Sequence, residues 1–252
     1  MPPLALHTLV AKQAADCLRP SLLDEERGSL YLGATAPDIR VITRWERQRT
    51  HFFDLSSFDE QSGVAGFFGA HPSLASPSGL SARTAAFVAG YVSHLIMDEN
   101  WISAIYRPYF GERSPLGGSL RANIMDRALQ FSLDADARGD KDVMLHVVEA
   151  VARADLDLEI DFIDRETLRR WHEVIIEFVN RPPDWQRFRD RWKRHLGESG
   201  FAAEGEMEEL ARALPELVDE ALGYLTRARV EECIQESLRG CLAAIREYLK
   251  CA

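Results

Sequence analysis

The chain has 252 residues, 46% of them hydrophobic and 28% charged, with a formal net charge of -10 and a pI near 5.2. That length is enough to bury a sizeable core, in one large domain or two small ones, and the acidic balance excludes a broad basic surface, so no stable nucleic-acid complex is expected. No apolar run reaches the roughly 18 residues of a membrane span, and Cys17, Cys233, Cys241 and Cys251 form no Cys-x-x-Cys pair.

The cysteine spacing is neither a zinc ribbon nor a disulfide framework. With no basic n-region, long apolar stretch or small-residue cleavage site near Met1, a reduced, cytoplasmic setting is expected. In chain order, Leu6, Leu9, Val10 and Ala14 recur at helical spacing and predict a first helix over residues 4–18 that carries His7. A second helix is expected from Ser21, with Asp24, Glu25 and Glu26 in its first turn, ending at Ala36-Pro37 because a residue before proline avoids the helical region. Asp38 then lies just past a helix end.

Residues 39–57 read as a loop or broken helix around Arg49-Thr-His-Phe-Phe-Asp54, and residues 58–70 as a short helix. After a Ser, Pro and Gly-rich connector, Ser81 is placed to cap a long helix that starts near Ala82 and runs towards Tyr106. Its apolar residues occur on all sides, so other helices should surround it. Helical patterns return over residues 119–133, 140–154 and 164–179, and Arg181-Pro-Pro183 breaks the last. Trp185, Phe188 and Trp192 share a helical stripe among the basic residues 187–195, and residues 204–250 read as two helices, or one kinked helix, with Pro215 near the break. No period-two run is bounded by turns, so the fold class is all-α, a multi-helix bundle. Residues 1–181 form the core and residues 182–252 a C-terminal helical segment packed on it as one domain.

The long helix carries the chemistry. His94 and Asp98 are four apart, and at 3.6 residues per turn their side chains stack on one face, where a ring nitrogen and a carboxylate oxygen can reach one metal ion. The competing reading is a buried pair hydrogen-bonded to each other. A carboxylate on an apolar helix needs a partner of some kind, because losing its water is costly. His7, Asp38, His51 and His71 have the same ligand chemistry but do not cluster in sequence.

The order of His7, Gly33-Ala-Thr-Ala-Pro-Asp38, Thr50-His51-Phe52 and Gly90-Tyr-Val-Ser-His-Leu-Ile-Met-Asp98 resembles the zinc-dependent phospholipase C superfamily, which also contains zinc-dependent single-strand nucleases and 3′-nucleotidases. The resemblance covers roughly residues 4–107. It implies an all-α fold with zinc at the bottom of a cleft, one ion held by Asp38, His51, His94 and Asp98, and another by His7 and the second oxygen of Asp98. It further implies a hydrolase of phosphoester bonds, a phosphodiesterase or phosphatase in which metal-activated water attacks phosphorus and Asp38 is both ligand and proton acceptor. Zn²⁺ suits these donors, although another divalent transition metal is possible.

The chain departs from that family in two places. Six residues precede His7, where secreted members ligate zinc through a processed N-terminus, and position 104 is Ala where a third-site histidine is expected. Asp126, His146 and Glu149 are candidate replacements on later helices, yet one or two ions are expected, not three. The partner implied is a phosphoester small molecule, lipid head group or nucleotide; the alternative is a non-catalytic helical binding protein that retains the scaffold. His172-Glu173 begins like a metalloprotease helix, but position 176 is Ile.

Overall fold

The computed structural model describes residues 3–19, 21–55, 57–190 and 213–250. Among these residues there is no strand, and the fold is an all-α multi-helix bundle. The helices are α1 (Leu4–Leu18), α2 (Ser21–Glu25), α3 (Arg27–Thr35), α4 (Arg40–Thr43), α5 (Gln48–His51), α6 (Gly63–Ala70) and α7 (Ala82–Trp101). After them come α8 (Leu120–Ala137), α9 (Lys141–Ala152), α10 (Arg165–Asn180), α11 (Leu214–Leu225) and α12 (Arg227–Lys250). Short 3₁₀ turns occupy Ala36–Ile39 and Pro72–Leu74, and a π-helical stretch, Ile102–Phe110, extends α7.

The bundle is built around α7. Ser81 caps it by accepting from the Thr84 backbone N–H, and every residue from Thr84 to Leu95 is buried. A helix with no polar stripe must be covered on all sides, and α1, α3, α6 and α12 supply that cover. Ser119, Asp140 and Asp164 similarly cap α8, α9 and α10 through their side chains, satisfying N–H groups that a helix start leaves unpaired.

One hydrophobic core joins α7 to α1, α3, α9, α10 and α12 through residues such as Leu30, Phe87, Val147, Trp171 and Ile245. A second continues beyond Trp101 and joins Ile105 and Phe110 to Met125 and Leu129 of α8 and Leu217 and Ala221 of α11. Among the described residues, the C-terminal segment therefore contributes α11 to the second core and α12 to both, through Val230 and Cys233 in the second and Cys241 and Ile245 in the first. Cys241 of α12 places its Sγ 3.5 Å from the Ser93 carbonyl oxygen of α7.

Three boundaries differ from the sequence reading. The expected second helix is interrupted at Glu26, whose φ of -110° and ψ of 35° separate α2 from α3. Pro215 lies in the first turn of α11, where its missing N–H costs nothing, and the break falls at Thr226. The short helix after residue 57 begins only at Gly63. Of the aromatic stripe, Trp185 and Phe188 are half-buried and pack on Phe131 with ring centroids 4.5 Å away, while Trp192 and His195 lie outside the described residues. Among the described residues no helix is long and apolar enough to cross a membrane.

Candidate metal centre

The site depends on how closely α3 approaches α7. A Cβ on Gly33 would meet the Phe87 carbonyl oxygen at 2.0 Å, and one on Gly90 would meet that of Leu30 at 2.0 Å. Only glycine permits such a backbone approach. It brings the Ala34 carbonyl oxygen 2.8 Å from His94 Nδ1. A carbonyl only accepts, so His94 carries its proton on Nδ1 and turns the lone pair of Nε2 inward. The 3₁₀ turn that follows α3 then presents Asp38 to the same point.

His51 reaches it from α5. Tyr91 of α7 donates its hydroxyl to the Thr50 carbonyl at 2.6 Å, fixing this short helix on the long one. Thr50 Oγ1 lies 2.9 Å from His51 Nδ1; in the tautomer with the proton on Nδ1 the hydroxyl accepts from it, and Nε2 of His51 turns its lone pair towards Asp38 and Asp98. His7 arrives on α1, whose first turn is anchored by Asp134 accepting from the Ala5 N–H at 3.2 Å. Its ring stacks on His94, with centroids 3.7 Å apart and planes 9° apart.

These elements bring His7, Asp38, His51, His94 and Asp98 together. His51 Nε2 is 3.3 Å from Asp98 Oδ2 and 3.7 Å from Asp38 Oδ1, and His94 Nε2 is 3.9 Å from Asp98 Oδ2. On the other side, His7 Nε2 is 3.4 Å from Asp98 Oδ1. The separation of 3.9 Å is too long for a hydrogen bond, so His94 and Asp98 are not a mutually satisfied pair. His7 Nδ1 and Nε2, His51 Nε2, His94 Nε2 and Asp98 Oδ1 are buried with no hydrogen-bond partner. Such a concentration of unsatisfied ligand atoms calls for a partner. Ligands about 2.0–2.1 Å from a tetrahedral zinc lie about 3.4 Å from one another, close to the separations seen here. Among the described residues two groups have metal-binding spacing: His7, His94 and Asp98, and Asp38, His51 and His94.

Electrostatics favour ligand protonation states. Burial opposes ionisation of Asp38, but the His51 and His94 imidazoles beside it draw its pKa down to about 2. Burial likewise works against Asp98, and His51, His7 and His94 overcome it to hold that carboxyl well below the usual range. Burial, reinforced by His7, pushes His94 down to about 3. The cluster therefore pairs anionic carboxylates with an imidazole held neutral.

The proposed replacements for a third site do not reach the cluster. His146 and Glu149 are exposed because α9 turns Met144, Val147 and Val151 inward, leaving both on the outer face. Asp126 is buried but satisfied, accepting from Trp101 Nε1 at 3.0 Å and Gln130 Nε2 at 2.7 Å. His71 pairs with Asp161 at 3.5 Å among Phe52, Phe67 and Phe162, and His172 Nε2 donates to the Val151 carbonyl at 2.7 Å.

Sequence reasoning missed Arg47, whose Nη2 is 2.8 Å from Asp98 Oδ2. Its spacing of four from His51 was the available signal, since it places both on one helical face. Asp38 also lines a cavity of about 470 Å³ with Val41, Phe131, Trp171 and Phe178. Paired charges accompany this apolar wall, Arg138 with Asp134 and Arg181 with Glu177. Compared with protein-family models, with curated proteins and with solved structures, the chain matches none.

Proposed function

We propose that the chain is a metal-dependent hydrolase of phosphoester bonds, of the zinc-dependent phospholipase C kind. The observation that carries the reading is the convergence of His7, Asp38, His51, His94 and Asp98 on buried ligand atoms that have no hydrogen-bond partner. Imidazole and carboxylate donors at these separations suit zinc. When bound, the ion supplies Lewis-acid chemistry and lowers the pKa of water at the site.

The chain's own residues divide the remaining work. His94 and His51 are held by Ala34 and Thr50 with their Nε2 lone pairs directed inward, an outer-shell arrangement that fixes ligand orientation. Asp98 offers Oδ1 to the His7 side and Oδ2 to the His51 side. Asp38 is the carboxylate with access to ligand: its side chain is 13% exposed and it borders the cavity. It is therefore placed to take a proton from an attacking water while the apolar wall accommodates the body of a small phosphoester, such as a nucleotide or a lipid head group. The free thiols of Cys17, Cys233 and Cys241 are consistent with a reduced, cytoplasmic setting.

Arg47 supports a second reading, because a cation already on Asp98 would suit a binding protein that keeps the scaffold without hydrolysis. Metal analysis of protein purified without added metal, followed by a panel of phosphomonoesters and phosphodiesters, separates the two. Stoichiometric zinc and hydrolysis that disappear together in Asp98→Asn, with the helical circular-dichroism spectrum retained, are expected. Metal-free protein that also takes up no added zinc overturns the hydrolase reading.

A further inference from the structure

The cavity beside Asp38 is also bordered by Leu4, on the first turn of the helix that carries His7. Its volume of about 470 Å³ is that of a small-molecule site, and Phe131, Trp171 and Phe178 give it flat apolar walls. Among the described residues four arginines border it, Arg127, Arg138, Arg181 and Arg187. Three of them are neutralised within the lining itself: Arg138 meets Asp134 at 3.3 Å, Arg187 meets Asp184 at 3.5 Å, and Arg181 pairs with Glu177.

Arg127 differs. Among the described residues its one ion-pair partner is Asp126, 3.9 Å from Nε, which is beyond hydrogen-bonding reach. Both oxygens of Asp126 already accept, Oδ1 from Trp101 and Oδ2 from Gln130. Yet the guanidinium is held in place. Gln130, 3% exposed, accepts from Arg127 Nη1 at 3.1 Å and donates to Asp126 at 2.7 Å, and Trp101 at the end of α7 fixes Asp126. A buried chain of side chains thus orients an arginine whose Nη2 has no hydrogen-bond partner among the described residues and whose side chain is 34% exposed. Holding a long cation in one geometry costs side-chain entropy, and no ion pair of hydrogen-bonding length offsets that cost here.

Resting on the hydrolase reading above, we propose that the cavity takes a phosphoester whose flat apolar body carries a carboxylate, with the phosphoester at Asp38 and the carboxylate on Arg127. One guanidinium balances one carboxylate, and its planar donors match the two carboxylate oxygens, which a lysine ammonium does not do. The aromatic walls bury the body of the ligand, whose apolar surface supplies binding energy without selecting its charge. Arg127 is accordingly a specificity-determining residue: it reads the group at the far end of the substrate from the bond that breaks.

The test uses zinc-loaded protein and non-hydrolysable ligands: phenylphosphonate bearing a para-carboxy, para-carboxymethyl or para-carboxyethyl group, each beside its matching carboxamide. Titration calorimetry gives the affinities for wild type, Arg127→Gln and Arg127→Lys. At one of these lengths the carboxylate should bind wild type about tenfold more tightly than its carboxamide. That preference should vanish in Arg127→Gln and partly return in Arg127→Lys. Carboxylate and carboxamide of equal affinity at every length overturn the proposal, and wild type alone supplies that result if Arg127→Gln fails to fold. A preference that persists in folded Arg127→Gln also overturns it, because another cation would then read the carboxylate. An Arg127-dependent preference in a protein that hydrolyses no phosphoester supports the carboxylate site and removes the hydrolase reading, whereas hydrolysis without the preference removes this proposal alone. Protein that takes up no zinc overturns both.

Discussion

His94 Nδ1 donates to the carbonyl oxygen of Ala34 across 2.8 Å, joining α7 to α3 between residues 60 apart in sequence. The bond requires the two backbones to lie nearly in contact, and Gly33 and Gly90 are where they do so. These glycines therefore serve the site as well as the packing: they set the depth at which His94 meets Asp38, His51 and His7.

Gly90→Ala should destabilise the fold by about 1–3 kcal/mol or more, since overpacking a filled interface forces the helices apart. The Leu30 carbonyl oxygen, 2.0 Å from the added carbon, is backbone and cannot swing aside. Denaturant unfolding gives the stability, and zinc affinity of the folded fraction should fall with it. A Gly90→Ala protein as stable as wild type would show that α3 and α7 separate at little cost.

Thr50→Val tests the orientation of His51 without altering a ligand. Valine keeps the shape but removes the oxygen that accepts from His51 Nδ1. The ring then loses what fixes its tautomer, and zinc affinity should drop about 10–100-fold, as for other outer-shell partners of metal-binding histidines. Competition with a chromophoric chelator measures the change. Unchanged affinity would mean that packing alone orients the ring.

Much of the site was legible in sequence because its parts are local. The spacing of His94 and Asp98 fixes their shared face, whereas Pro37 does not stop the chain's helical course: Ala36 keeps a helical backbone, and Asp38 sits in the 3₁₀ turn that joins α3 to α4. Arg47 was less visible, since an arginine in a polar segment looks like any solvated charge until the fold brings it to Asp98, 51 residues away. The same limit explains His146 and Glu149: a spacing of three shows that two side chains share a face, but not whether that face is turned inward. Here the apolar residues Met144, Val147 and Val151 take the inner face. Asp126 was misread for another reason, as burial implies a partner and Trp101 and Gln130 supply it.

His146→Ala and Glu149→Ala should accordingly leave zinc content and zinc affinity at wild-type values, with stability changed by less than about 0.5 kcal/mol, as for most surface substitutions. Elemental analysis and denaturant unfolding check both. Loss of bound zinc in either variant would require α9 to move its outer face to the cluster.

The metal-free protein should lose stability as pH falls below about 6.5. His94 has its pKa lowered to about 3 by burial and by His7, from 6.5 in an exposed chain. Between those values the unfolded chain binds a proton that the native protein refuses, so stability rises with pH and falls with acid. One proton corresponds to at most about 1.4 kcal/mol per pH unit. Asp38, drawn down to about 2, and Asp98, held well below the usual carboxylate range, contribute stability that is present above their unfolded pKa near 3.8 and is lost below it. The interval from pH 6.5 to 4.5 therefore lies above the range in which these two carboxyls weaken the fold. Urea unfolding of chelator-treated protein across that interval should show the decline, and in His94→Gln, where no imidazole can be protonated, its slope should fall by up to one proton. Equal slopes in the two proteins would mean that His94 takes up a proton in the native state, opening the cluster to do so.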